Sequence, residues 1–198
     1  TVGDLDLLVV TSQPAEAIRQ LVSPPPVSAV LAKGAKRATV LLGQGLKVDL
    51  RVIPAKESGA ALVYFTGSKA HNIAIRRLAQ ERGLKINEYG VFSGGRRVAG
   101  QTESSVYEAL GLAFIEPELR EDRGEVEAAG RHELPELVGY DDLQGDLHSH
   151  TDATDGSNTL SEMAEAARAA GFHYLAITDH SKRLRMAHGL DASGMLRQ

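Results

Sequence analysis

The chain has 198 residues, 42% hydrophobic and 24% charged, with a formal net charge of −4. That is the composition of an ordinary globular protein of one large or two small domains. It holds no cysteine, which excludes a disulfide framework and thiolate metal sites, so a metal would have to be held by carboxylate and imidazole, and a reducing cytoplasm is the expected location. No apolar run approaches the roughly 20 residues of a membrane helix, and the opening TVGDLDLLVV has no basic leader, so neither a membrane partner nor secretion is expected.

In chain order, DLDLLVV predicts a strand, apolar on at least one face. SQPAEAIRQLVS predicts a helix with Ser12 as N-cap and Pro14 in its first turn, stopped by the prolines at 24–26. ATVLLGQGLKVDLRVIP predicts a hairpin through Gly43-Gln44-Gly45, and Pro54 with Ser58-Gly59 closes this first unit. Asp4 and Asp6 are two apart on a strand and share a face; Asp49 sits in the middle of LKVDLRVI. An acid inside such a run needs something to satisfy it, though one alone could be a solvent-exposed edge residue. Three that converge on one face suit Mg²⁺, which prefers carboxylate oxygens completed by substrate phosphates.

From Ser68 a helix, KAHNIAIRRLAQER, is predicted to run to a Gly83 cap, with Asn72 and Arg76 (i, i+4) on its polar face and Ile73, Ala74 and Leu78 buried. LKINEYGVF and RRVAG read as short strands, and TESSVYEALGL as a helix opened by Thr102. Residues 66–100 carry a net charge of +5 and residues 116–146 one of −8. This suggests a phosphate-binding module followed by a solvated connector over 118–144. The remainder predicts strand (GDLHSHT), helix (LSEMAEAARAAG, with a Thr159-x-x-Glu162 capping box) and strand (HYLAITDH), one βαβ unit.

The string Tyr64-Phe65-Thr66-Gly67-Ser68, then Asn72, Arg76 and GLKINEY, closely resembles the thumb of family X DNA polymerases, the family of polymerase beta. The DLDLL opening and the VDLRV strand resemble that family's palm. The resemblance implies that Asp4, Asp6 and Asp49 are the catalytic metal triad for Mg²⁺ (or Mn²⁺). It puts Tyr64, Phe65 and Gly67 under the incoming sugar, Asn72 at the minor-groove edge of the incoming base, and Arg76 on the templating strand. Implied partners are gapped or primer-template DNA and deoxynucleoside triphosphates, in a nucleoid-associated repair enzyme.

GDLHSHTDATDG followed by ITDH resembles the first two motifs of a PHP (polymerase and histidinol phosphatase) domain, which bacterial family X polymerases often carry after the thumb. The resemblance implies Mn²⁺ or Zn²⁺ held by His148, His150, Asp155 and His180, with Asp146 and Asp179 supporting them, and a 3′→5′ exonuclease or phosphoesterase activity. His71, His132, His173 and His188 are expected to be structural or surface residues. The expected architecture is an α+β, nucleotidyltransferase-like palm (1–55) and thumb (56–117), the acidic linker, and the first βαβ unit of an α/β PHP barrel (145–198). The triphosphate-holding Gly-Ser turn and the later PHP ligands are not in this sequence, so an internal piece with two incomplete sites is expected. Two rival readings remain open: a PHP phosphoesterase with the palm as scaffold, and a non-catalytic DNA- or nucleotide-binding module.

Overall fold

The computed structural model describes residues 3–23 and 26–198, divided into two compact units between Pro135 and Glu136. In the first, β1 (Asp4–Val10) leads through α1 (Pro14–Val22) to β2 (Val27–Lys33), β3 (Arg37–Leu42) and β4 (Lys47–Ile53). The sheet order is β1-β4-β3-β2, with β1 parallel to β4 and the other pairs antiparallel. Alternation along β4 decides what each face does. Leu50 and Val52 bury against Ile18 of α1 together with Ala38, while Lys47, Asp49 and Arg51 lie on the other face.

The hairpin expected at 43–45 joins β3 to β4, with Gly45 at a positive φ of 84°. Two differences concern this unit. Gln13, not Ser12, occupies the N-cap of α1, and Pro14 at the first helical position organises the turn instead. β2 is an additional strand: VSAVLAK has a weak alternation, and four of its last five residues are exposed because it forms the sheet edge. Pro24 and Pro25, expected to stop α1, lie outside the described residues.

The chain continues through α2 (Ser58–Thr66), α3 (Lys69–Glu81), the three-stranded antiparallel sheet β5 (Lys85–Asn87), β6 (Gly90–Ser93) and β7 (Arg96–Ala99), then α4 (Glu103–Ala109). Their shared core includes Val63, Ile75, Ala79, Val91, Val106, Tyr107, Leu110 and Ile115. α2 is a helix where Ser58-Gly59 promised only a turn. Gly59 lets it press onto the backbone of Thr102, where any Cβ would collide. Gly83 follows α3 with φ +70°, as a terminating glycine should.

The first part of the acidic stretch is not a solvated connector. α5 (Glu125–Arg131) packs Ala129 into this core, and Arg120 and Glu125 are buried. The charge run misled because its central members are satisfied internally. Arg120 donates to the Ile115 carbonyl (2.9 Å) and pairs with Glu103 (2.7 Å), its guanidinium over the Tyr107 and Phe114 rings.

In the second unit β8 (Gly145–Ser149) and β9 (Tyr174–Ile177) pair in parallel, connected through α6 (Leu160–Ala169), with α7 (Ala192–Arg197) at the end. The Thr159/Glu162 capping box forms at the start of α6. No helix among the described residues is long and apolar enough to cross a membrane.

Candidate metal centres and nucleotide surface

Parallel register puts Asp6 directly beside Asp49 and Asp4 beside Lys47, so the three aspartates share the sheet face opposite α1. Two residues missed in the sequence sit among them. The Lys47 ammonium lies 3.2 Å from Asp4 and 3.0 Å from Asp49, and the Thr39 hydroxyl donates to Asp49 Oδ1. Lys47 was within reach of the rule that paired Asp4 with Asp6, being two residues before Asp49 on the same strand.

The Thr39 hydrogen bond, reinforced by Lys47 and Arg51, holds the Asp49 carboxyl below the usual carboxylate range against its desolvation. The same contacts, with Asp49 first and Asp4 second, raise Lys47 above its ordinary value. The Asp4 and Asp49 oxygens thus converge on one ammonium, and carboxylates are the donors a hard divalent ion prefers, but the three aspartates do not form a cluster as tight as that of His150, Asp155 and His180.

Tyr64 and Phe65 close the end of α2 in an edge-to-face pair with centroids 5.0 Å apart, and the Arg51 guanidinium lies 4.8 Å from the Phe65 ring centre. Gly67, at φ +76°, makes the turn into α3, and Ser68 N donates to the Arg120 carbonyl at 2.9 Å. The Gly67–Ser68 peptide is cis.

The face of α3 differs from expectation. Ile73 is 52% exposed, and the buried stripe is His71, Asn72, Ile75 and Ala79. Asn72 is 8% exposed and donates to the Tyr64 carbonyl (2.8 Å), while the exposed Arg76 bonds back to the Asn72 carbonyl (3.0 Å). The polarity of Asn72 and His71 concealed that i, i+4, i+8 spacing through residues 71, 75 and 79 sets the packed stripe. His71 is wholly buried, bonded through Nδ1 to Glu125 (2.7 Å) and through Nε2 to Tyr107 (3.0 Å).

In the second unit the ligand atoms of His150, Asp155 and His180 all lie within 4.8 Å of one another. Asp155 faces His150 Nδ1 at 3.5 Å and His180 Nε2 at 3.4 Å, and the two imidazoles stack with centroids 4.5 Å apart. His150 Nδ1 is buried without a hydrogen-bond partner. An orphaned imidazole nitrogen beside a second imidazole and a carboxylate is a donor set that fits a transition metal or zinc. His148 lies alongside, its ring 5.1 Å from that of His150, but outside the set of three.

Asp146 accepts from His148 N and Ser149 Oγ, both at 2.8 Å, which holds it below its ordinary value. For Asp179, burial pushes the carboxyl up, but bonds from Thr151, Thr154 and Gln198 outweigh it and hold it well below the carboxylate range.

Comparison with known proteins agrees with this division. Residues 61–121 match the DNA polymerase beta thumb and residues 146–194 match the PHP domain. Over its full length the chain is 40% identical to "DNA polymerase/3'-5' exonuclease PolX" of Bacillus subtilis (strain 168), 202 aligned residues that cover 35% of that protein. DNA polymerase lambda of Rattus norvegicus is 37% identical over 87 residues, 38% of this chain and 15% of that protein. DNA polymerase IV of Saccharomyces cerevisiae is 38% identical over 64 residues, 32% of this chain and 11% of that protein.

Two stretches of the chain are thus similar to known domains, residues 61–121 to a polymerase-beta-type thumb and residues 146–194 to a PHP domain. The whole length of the chain is similar to part of a family X DNA polymerase, the PolX protein of Bacillus subtilis. The chain spans about a third of the length of the Bacillus relative.

Proposed function

We propose that this chain is the palm-to-PHP portion of a gap-filling DNA polymerase that acts on primer-template or gapped DNA and deoxynucleoside triphosphates in the nucleoid. On this reading residues to about 55 are palm, 56 onward are thumb, and those from 145 begin a PHP barrel. The observation that carries it is the register placing Asp6 beside Asp49, with Asp4 on the same face, in a chain whose next segment matches the polymerase beta thumb.

Asp4, Asp6 and Asp49 would hold Mg²⁺ (or Mn²⁺). When bound, such ions lower the barrier to attack of a primer 3′-hydroxyl on the α-phosphate and neutralise the leaving pyrophosphate. Thr39 and Lys47 keep the Asp49 carboxyl ionised and aimed. Tyr64, Phe65 and Gly67 would support the incoming sugar, with Asn72 and Arg76 facing base and template. Because Asn72 is bonded to Tyr64 here, meeting a base edge requires it to exchange that partner or to use its amide oxygen.

The test is primer extension on a gapped duplex with Mg²⁺ or Mn²⁺, using the longer polymerase that contains this sequence. Asp49→Asn should nearly abolish synthesis and leave DNA affinity within about twofold. Synthesis at the unmodified rate would refute the triad.

A second activity is favoured by the His150, Asp155 and His180 cluster. We assign it to a metal-dependent 3′→5′ exonuclease or phosphoesterase centre for Mn²⁺ or Zn²⁺, with His148 beside it. The bound metal would supply a hydroxide for attack on a phosphodiester.

A further inference from the structure

After β8 the chain turns sharply before α6. Thr154 N and Gly156 N both bond to the Thr151 carbonyl, at 3.1 and 2.9 Å, and a Cβ on Gly156 would collide with the His150 carbonyl. Thr151 and Thr154 are buried, 1% and 7% exposed, and aim their hydroxyls inward at Asp179. Asp179 Oδ1 accepts from Thr151 N (2.8 Å) and Thr154 Oγ1 (2.5 Å); Oδ2 accepts from Thr151 Oγ1 (2.5 Å) and Gln198 Nε2.

A carboxylate oxygen offers two lone pairs, so both oxygens of Asp179 are fully engaged and none is left for a metal. Thr154 has one hydroxyl hydrogen, and it goes to Asp179 at the shorter distance. Its oxygen then lies 3.3 Å from Asp155 Oδ1. Asp179 immediately precedes His180 in the chain, so these bonds tie the loop bearing Asp155 to the strand end bearing His180.

We infer that Asp179 is a positioning residue that acts through Thr151 and Thr154 to clamp the 151–155 loop onto the end of β9, fixing Asp155 relative to His150 and His180. The inference rests on the metal-centre reading of those three residues. The donors come from two segments 25–30 residues apart in sequence, and their convergence depends on whatever joins those segments. Beyond the strand pairing and the Asp155–His180 contact at 3.4 Å, the hydrogen bonds found from the loop to the 178–180 segment run through Asp179. Supporting hydrogen bonds of this kind are worth about 10–100-fold in metal affinity.

The experiment titrates the whole 198-residue chain with Co²⁺ alone and follows the visible d–d absorption, which reports coordination geometry. Thr154→Val keeps the volume and removes the hydroxyl; Thr154→Ser keeps the hydroxyl. The unmodified chain should give a band that His180→Ala removes. Thr154→Val should bind Co²⁺ at least about tenfold more weakly with a shifted band, and Thr154→Ser should stay within about twofold.

Asp179→Asn, which retains size and one acceptor oxygen, should also weaken binding and shift the band, with hydrogen exchange in β8 and β9 unchanged. Thr154→Val or Asp179→Asn with unmodified affinity and spectrum would overturn the clamp, as would Thr154→Ser falling as far as Thr154→Val. A chain whose Co²⁺ spectrum is indifferent to His180→Ala would instead overturn the metal-centre reading, and the clamp with it.

Discussion

The buried His71–Glu125 pair should be the most sensitive point of the first unit, and its cost can be worked from contacts. Glu125 accepts from His71 Nδ1 (2.7 Å), Asp122 N (2.9 Å) and Arg123 N (2.7 Å). Hydrogen bonds to a charged acceptor are worth about 1.5–3 kcal/mol each. Asp122 and Arg123 are exposed, so water replaces most of what their amides lose in Glu125→Ala. The His71 ring is fully buried, and a stranded donor there costs about 1–3 kcal/mol by itself.

The sum is about 2.5–6 kcal/mol, a large part of the ~5–15 kcal/mol that stabilises a domain. Hydrogen exchange by mass spectrometry on peptides from α3 measures it. At one decade per ~1.4 kcal/mol, amide exchange in 69–81 should accelerate about 60-fold at least and at most about 20,000-fold. Acceleration below about fivefold would show that the pair adds nothing to the fold.

The same network sets a pH window. A neutral His71 can donate through Nδ1 to Glu125 and accept through Nε2 from the Tyr107 hydroxyl, which satisfies both contacts. Burial drives its pKa below the ordinary value, more than Glu125 raises it. The unfolded chain therefore takes up the proton first as pH falls, and stability is lost below about 6.5. Burial pushes the Glu125 carboxyl up, but bonds from His71 and the two backbone amides hold it below the ordinary range, so further stability is lost below about 4.3. Burial raises the Tyr107 phenol, which places a loss on the alkaline side above about 10. His71→Gln keeps a donor without titrating, and should flatten the stability profile as pH falls below ~6.5. A profile identical to that of the unmodified chain would refute the neutral buried imidazole.

Two further outcomes concern single residues. On the proposed polymerase reading, Arg76→Ala in the longer protein should weaken correct nucleotide incorporation by about 1–3 kcal/mol, the scale of one base-edge contact, read by single-turnover kinetics on a gapped duplex; an unchanged rate would refute the role proposed for Arg76. The Thr102 hydroxyl accepts from Ser105 N, and Thr102 N donates in turn to Ser105 Oγ. Thr102→Ala should therefore cost about 1 kcal/mol in chemical denaturation of the first unit.

Much of the fold was legible where a local rule had no competitor. The Asp4/Asp6 spacing, the hairpin at 43–45, Gly83 after α3 and the Thr159/Glu162 box each express one turn or period, and neighbours did not override them. α2 was illegible because Val63-Tyr64-Phe65 has the composition of a strand, and its helix depends on Gly59 meeting Thr102, a residue 43 positions away. The same holds for Asn72 and Glu125. Their polarity argued for the surface, and their burial becomes affordable only through partners (Tyr64, His71, the 122–123 amides) that the linear sequence does not place.

The two candidate centres are built by different means, and their tolerance of mutation should differ accordingly. Asp6 and Asp49 are held by seven registered residue pairs between β1 and β4, so exchanging one carboxylate removes a donor while the backbone that positions the others stays in place. At the PHP segment only the strand ends are registered, and the β8–β9 pairing already slips between Asp146 and Ser149. Asp155 lies on a loop, and its place depends on side-chain hydroxyls meeting Asp179. Substitutions around the aspartate face should therefore be informative one residue at a time. Around the histidines, a change at Thr151, Thr154 or Asp179 should move several donors together, so effects there will be non-additive. In double-mutant cycles the coupling energy of Thr154 with Asp155 should consequently exceed that of Asp4 with Asp6.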